Sequence, residues 1–397
     1  MEIATGCSKK PNEQEAVLEA CNQLVQALPS PSFVFMVATI NYNNQVILNE
    51  LNRILDAPKI MGGTSCIGLF TEKGGYCSER QVALGLLGFK DDNGCFGIAG
   101  LSLSDNPFND GAEVISRALN DSGRPGEIPS IILMTSAPGH EEALIDGIMS
   151  VVGTDVPIFG GSSADNSISG KWQQFCGTQI FYNGITIAVI YSSKPIGYAF
   201  HNGYMPTEHN GIITKVEGRI VRTIDDKPAA EIYNQWSGGL ITKSLGSDSN
   251  ILAASTLNPL GRAVGTIGTI PYYNLSHPNQ IFADGSMSFF TTFCENDSVV
   301  FMEGTVNSLK TRVKRVIHLA KENYSSHHLD KPKGALIIYC AGCFLALEDQ
   351  IEDVVSMVYA ELPSEPFLGM FTFGEQGCLF GGENRHGNLM ISAIVFG

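Results

Sequence analysis

No run of roughly 18–20 uninterrupted apolar residues, the length that crosses a bilayer, occurs in the 397 residues. The opening MEIATGCSKKPNEQE also lacks the apolar stretch of a secretory signal, so a soluble, cytoplasmic protein without membrane insertion is expected. Basic side chains are scarce: 25 Lys and Arg against 40 Asp and Glu leave a formal charge of −15. Phosphate backbones require cationic faces, which argues against nucleic acid as a partner. Low-complexity segments are missing too, and 44% hydrophobic composition supplies apolar surface for packed cores, which rules out wholesale disorder. At roughly 100–200 residues per domain, about two or three domains are expected.

Ten cysteines stand at 7, 21, 66, 77, 95, 176, 294, 340, 343 and 378, many within apolar runs such as GALIIYCAGCF. That placement suits small hydrophobes in a reducing compartment and gives no disulfide framework. Cys340 and Cys343 form a CxxC, but the second ligand pair of a zinc site is missing, leaving a redox dithiol or an inert buried pair. Other chemical signatures are also lacking. Neither GxGxxG nor the phosphate-loop pattern occurs at the glycine turns, and HExxH, CxxCH and a GxSxG nucleophile elbow are not found. No catalytic constellation stands out, so an enzyme is not expected. Cys340, at the end of an apolar strand, is the remaining candidate nucleophile, with a buried inert thiol as its alternative.

What is present is an internal repeat. Pro31-Ser32-Phe33-Val34-Phe35-Met36 and Pro129-Ser130-Ile131-Ile132-Leu133-Met134 lie 98 positions apart, and the same offset carries Gly62-Gly63-Thr64-Ser65 onto Gly160-Gly161-Ser162-Ser163. A looser third copy runs from Ala335-Leu336-Ile337-Ile338-Tyr339-Cys340 to Gly369-Met370-Phe371-Thr372. Each copy reads as a strand, a helix-length amphipathic segment, a second strand entering a Gly/Ser/Thr turn, and a further strand. Repeated β-α-β-turn-β units predict an α/β to α+β fold of two modules with mixed sheets covered by helices. A different region spans about 195–330, with its linker expected at Ser244–Asn250. There the helix from Thr305 to Tyr324 carries Lys310, Arg312, Lys314, Arg315 and Lys321, which read as a solvated face.

The glycine turns are the main candidate site. Gly62, Gly63, Thr64 and Ser65, with Gly160, Gly161, Ser162 and Ser163, could bring backbone N–H groups and hydroxyls against a carboxylate or other small anion. The alternative is tight turns needing positive φ. Phe373, Gly374 and Glu375 offer a carboxylate flanked by glycine, fit for a ligand's ammonium or amide, or else a solvated loop. His386 could add a switchable proton, with a structural histidine as its alternative. His201 is the most plausible axial ligand should heme be bound, with His209 nearby, although both also read as structural.

The ordered combination Gly62-Gly63-Thr64-Ser65-Cys66-Ile67-Gly68, Gly160-Gly161-Ser162-Ser163-Ala164-Asp165, Asp225-Asp226-Lys227-Pro228-Ala229, Asn258-Pro259-Leu260-Gly261, Tyr339-Cys340-Ala341-Gly342, Phe371-Thr372-Phe373-Gly374-Glu375 and His386-Gly387-Asn388-Leu389 resembles the FIST sensory domains. The resemblance runs from about residue 30 to the end. With the division placed at the Ser244–Asn250 linker, the expected organisation is a helical or extended lead over 1–30, an N-terminal module over 31–243 and a C-terminal module over 244–397. The resemblance implies a signal-input protein that binds a small molecule, an amino acid or related metabolite. The signal is expected to pass to a separate partner such as a histidine kinase or cyclase. A heme-based nitric oxide or redox sensor and a ligand-free interaction scaffold are the alternatives. The sequence departs from the family pattern where Cys343 stands in the place of the arginine of Cys-x-Gly-Arg, and where 272–277 lacks an expected arginine.

Overall fold

The computed structural model describes residues 1–56, 58–267, 270–325, 331–347, 350–379 and 382–397. The repeated strands are apolar in consecutive positions, which suits strands covered on both faces, and every residue of Phe33–Ala38, Ile131–Ser136 and Gly334–Cys340 is buried. Alternation then divides each strand between two layers. Phe33, Phe35 and Val37 join a core shared by all three copies, whereas Val34, Met36 and Ala38 pack beneath helices Glu13–Ala27 and Asn44–Ile54. In the second copy Ile131 and Leu133 face the shared core, while Ile132 and Met134 face helices Pro107–Asp121 and Glu141–Val152. The helix starts are locally encoded: Asn12 and Asn106 accept hydrogen bonds from Glu15 N and Asn109 N, and Pro107 opens its helix.

Each copy opens with a strand and a helix that the β-α-β-turn-β reading does not contain, and carries a two-stranded hairpin at its turn. The first begins with Glu2–Ser8 and Glu13–Ala27, its opening strand and first helix, which lie within the helical and extended stretch expected over 1–30. The second opens with Cys95–Ser102 and the third with Ile196–Asn202. In every copy the opening strand pairs antiparallel with the last, the last with the first inner strand, and the two inner strands run parallel.

A hairpin from another copy then completes each sheet. Leu69–Thr71 of the first copy adds to Phe367–Thr372 of the third, Gln174–Cys176 of the second to Lys59–Thr64 of the first, and Glu375–Cys378 of the third to Ile158–Ser162 of the second. The exchange is cyclic, so no copy is complete without the other two.

The third copy carries an insertion between Ile196–Asn202 and helix Val306–Ser325: a nine-stranded sheet running from Met205–Glu217 to Ser298–Glu303. The division expected after residue 243 falls inside this sheet, whose cluster joins Ile213 and Val221 to Ile281 and Phe301. On helix Val306–Ser325, Lys314 and Arg315 are exposed as expected, but Arg312 is not: it is 5% exposed and points into the shared core. No described helix is long and apolar enough to cross a membrane.

Candidate functional site

The three turns meet. Ala164 N donates to Thr64 O at 2.8 Å, Cys66 N to Phe371 O at 3.0 Å, and Phe373 N to Ser162 O at 3.0 Å, tying second copy to first, first to third, and third to second. The strand register makes Phe371-Thr372-Phe373 the equivalent of Gly63-Thr64-Ser65 and Gly161-Ser162-Ser163.

Their hydroxyls are engaged in the joint itself. Ser65 Oγ donates to Gly68 O at 2.5 Å and accepts from Phe371 N at 2.8 Å, while Thr64 Oγ1 accepts from Gln173 N at 2.9 Å. Ser162 Oγ donates to Glu141 Oε1 at 2.6 Å. Ser163 Oγ alone of these is buried without a hydrogen-bond partner among the described residues. The glycines serve close approach of neighbouring chain rather than of a ligand: a Cβ at Gly62 or Gly160 would strike the carbonyl of Met36 or Met134 on the adjacent strand. Gly63 and Gly161 are closed over by Ser163 and Thr372 in the same way. The corners therefore converge as the sequence suggests, but Gly62 to Ser65 and Gly160 to Ser163 form a closed joint and line none of the cavities described here.

The cavity lies beside that joint. It holds about 110 Å³ and takes one wall from Pro138, Ile168 and Trp172 of the second copy. The opposite wall is Leu252, His277 and Phe290, from the insertion, and Cys340, Gly342 and Leu345 follow from the third copy. Thr372, Phe373 and Asn388 complete it. Phe373 is thus the one predicted ligand residue on this cavity; its ring meets Trp172 edge-on at 6.2 Å. No charged side chain is among the described lining residues. Leu345 is 50% exposed and stands at the mouth. Sequence reading missed Trp172, His277 and Phe290 because they come from segments outside the repeated motif.

His277 Nε2 donates to Leu252 O at 3.0 Å, and its backbone N donates to Asn388 Oδ1 at 3.2 Å. Burial pushes its imidazole down to about 4, which keeps it neutral.

Behind the wall lies a buried polar group. Glu375 accepts from Thr372 Oγ1 at 2.9 Å and from Met390 N at 3.0 Å. Burial, joined by the nearby Cys343 thiol, holds its carboxyl well above the ordinary carboxylate range despite those donors. It sits neither in a solvated loop nor on the cavity surface. Arg312 reaches the same region, donating to Leu389 O at 2.7 Å and to Cys343 Sγ at 3.2 Å.

His386 lies in a separate polar cleft of about 130 Å³ that also includes Glu142, Arg262 and Arg385. Glu141, Glu142 and His386 bring donor atoms within 4.8 Å of one another, a spacing that could hold a cation. Arg219 already occupies that position electrostatically, pairing with Glu141 at 2.7 Å and Glu142 at 2.6 Å. Burial opposes ionisation of Glu141, but His386 and Arg219 outweigh it and hold its carboxyl at about 2. Arg219 sits at the hairpin end between Met205–Glu217 and Ile220–Ile224, so this network fastens the insertion to the second copy. His201 lies elsewhere: its Nδ1 is bonded to Asn202 O and its ring packs edge-on against Tyr272 at 5.1 Å. It lines none of these cavities.

Among solved structures, cyanuric acid hydrolase from A. caulinodans aligns over 99% of this chain and 98% of that one at 9% identity, with a TM-score of 0.37. The PurLQS structure from Thermotoga maritima aligns over 99% and 72% at 9% identity, with a TM-score of 0.22. Scores this low carry no argument about fold or activity. The uncharacterised protein MJ1623 of Methanocaldococcus jannaschii is 30% identical over 88 residues, which span 22% of this chain and 17% of that protein. The FIST N domain matches residues 32–227 and the FIST C domain residues 229–378, meeting within the inserted sheet. With both matches together covering most of its length, the chain belongs to the FIST family of sensory domains.

Proposed function

We propose that this chain is a non-catalytic small-molecule sensor whose ligand occupies the cavity of about 110 Å³ beside the three-way joint. The observation that carries the reading is that both modules build this one cavity: Pro138, Ile168 and Trp172 come from the region matched by the FIST N domain, and His277, Phe290 and Phe373 from that matched by the FIST C domain. A molecule held there touches both modules at once, so its binding biases their relative packing. That bias is the signal, read by a separate partner such as a histidine kinase or cyclase.

The wall chemistry narrows the ligand. Aromatic and aliphatic side chains dominate, with His277, Thr372 and Asn388 as the polar points. Such a cavity takes a compact, mostly apolar molecule oriented by one or two hydrogen bonds. A free amino acid would leave its two charges unpaired there, which is costly in an apolar site. Neutral relatives of amino acids fit better, and an acid with one charge is less costly there than the doubly charged parent. Drug-sized ligands fill roughly 300–1,000 Å³, so the space described here does not favour heme.

The test is a thermal-shift screen of the full chain with small aromatic and branched-chain acids, their amides, the parent amino acids and nucleobases. A ligand that binds only the native state at one hundred times its Kd adds about 2.7 kcal/mol of stability. At least one apolar compound should raise the midpoint in the wild type and fail to do so in Leu345→Tyr, whose larger side chain closes the mouth. A shift that survives intact in a folded Leu345→Tyr protein would place the ligand elsewhere.

A further inference from the structure

Cys343 stands in the core facing a buried cation. Arg312 is 5% exposed, and its hydrogen bonds reach a carbonyl, Leu389 O, and the Cys343 sulfur. The rings of Tyr204 and Tyr339 lie 5.9 and 5.5 Å from its guanidinium carbon. Arg312 Nε is buried with no hydrogen-bond partner among the described residues. A guanidinium removed from water needs an anion to offset its lost hydration. The sulfur at 3.2 Å is the group placed to provide one.

The second thiol of the CxxC connects this cation to the cavity. Cys340 ends strand Gly334–Cys340, helix Ala341–Leu347 starts at the next residue, and Cys343 lies on that helix near enough for each thiol to shift the ionisation of the other. Cys340 lines the cavity, whereas Cys343 lies behind it with no exposed surface. The pair thus has a reachable member and a hidden member, with a positive charge beside the hidden one.

We propose that Cys340 and Cys343 form a redox-active dithiol, oxidised to a disulfide by small hydroperoxides that enter through the cavity. The oxidant meets Cys340. Its thiol proton passes to the neighbouring Cys343 sulfur, its own sulfur attacks the outer peroxide oxygen, and the O–O bond breaks. Cys340 becomes a sulfenic acid, and the departing alkoxide or hydroxide takes the proton from Cys343 to leave as an alcohol or water. The Cys343 thiolate then attacks the Cys340 sulfur and expels hydroxide, which a solvent proton converts to water. Two electrons have moved from the two sulfurs to the peroxide. Exchange with a dithiol reverses the change.

Burial opposes ionisation of Cys343, but the neighbouring Cys340 thiol, the Arg312 charge and the Tyr204 hydroxyl together lower its thiol below the ordinary range. Oxidation removes that negative charge and leaves Arg312 uncompensated. Glu375, whose carboxyl is held up partly by the Cys343 charge and pulled down by Arg312, is the group positioned to ionise in its stead. Because Glu375 accepts from Thr372 on the cavity wall, a change of charge behind the wall reaches the cavity surface. Cys7 and Cys77 also influence each other's ionisation, but neither lines this cavity.

The experiment treats the reduced full chain with hydrogen peroxide and blocks remaining thiols with one alkylating reagent. Reduction with dithiothreitol and labelling with an isotopically distinct second reagent follow, and peptides covering 340 and 343 are read by mass spectrometry. Both sites should carry the second label, and dithiothreitol given before the first reagent should abolish it. In Cys343→Ser, Cys340 should fail to form the reversible pair, and Arg312→Met should slow pair formation at least tenfold. Circular dichroism verifies folding, with Arg312→Lys as the substitute should Arg312→Met not fold; the lost guanidinium geometry should slow formation at least threefold. First-reagent labelling at both positions under conditions that oxidise exposed Cys294 would overturn the proposal, as would a disulfide formed at the wild-type rate in a folded Arg312 variant. The readout is the state of two sulfurs and is independent of whether the cavity also binds a metabolite.

Discussion

His277 illustrates what one residue contributes in its surroundings. An imidazole titrating at 6.5 when unfolded and at about 4 when folded remains neutral in the native protein over an interval where the unfolded chain takes up a proton. Unfolding is therefore favoured progressively as pH falls through that interval; the stabilisation is complete above 6.5 and disappears toward 4. The shift corresponds to roughly 3 kcal/mol at its limit. Urea unfolding at pH 7.5 and 4.5 should show the wild type losing more stability than His277→Asn by an amount of that order, whereas parallel losses would assign the acid sensitivity to other groups. The sequence placed His277 near a missing arginine but could not show its burial, because the partner that fixes it is a carbonyl of Leu252, and carbonyls leave no residue signature. The glycines were readable differently. Their repetition marked the corners correctly, but at Gly62 and Gly160 the neighbour requiring glycine is the next strand, so the same letters that could admit a ligand here admit backbone. Arg312 was misjudged because helical spacing distinguishes faces only when the opposite face is solvent; this helix packs into the core near Tyr204 and Tyr339 from its own basic side.

At the scale of elements, the exchanged hairpins decide how the copies hold together. Phe70, on the strand Leu69–Thr71, is fully buried and packs against Phe367 and Phe371 of the third copy at 6.3 and 5.6 Å. Gly369 leaves the space its ring fills. Phe70→Ala removes this contact between distant parts of the chain and should cost about 3–5 kcal/mol, read as a lower denaturant midpoint with an unchanged slope. A loss under 1 kcal/mol would mean the exchanged strand is a dispensable edge. The inner strands and their helices were legible because apolar periodicity is local. The hairpins were not: Leu69–Thr71 and Gln174–Cys176 are three residues long, too short for periodicity to speak, and the inner strands they join, Phe367–Thr372 and Lys59–Thr64, belong to other copies. The opening strands of the copies were not recognised as part of the repeat for another reason: the match at an offset of 98 positions begins only at the first inner strand, although the third copy's opening helix is legible from Thr305 to Tyr324.

The whole molecule is a closed exchange among three related units, interrupted once by an insertion that supplies one side of the cavity. The repeat and the family were visible in the order of motifs. The cavity was not, because its walls are assembled from the second copy, the insertion and the third copy, which only the fold brings together. Trp172 supplies a direct reporter of its occupation. In a Trp236→Phe background, Trp172 is the remaining tryptophan of the two in the chain, and its emission can be followed while the best-stabilising compound is titrated. The account predicts a saturable emission change whose midpoint matches the stabilisation, abolished when Leu345→Tyr is added. A saturable stabilisation that leaves Trp172 emission unchanged, or survives the added Leu345→Tyr, would contradict it.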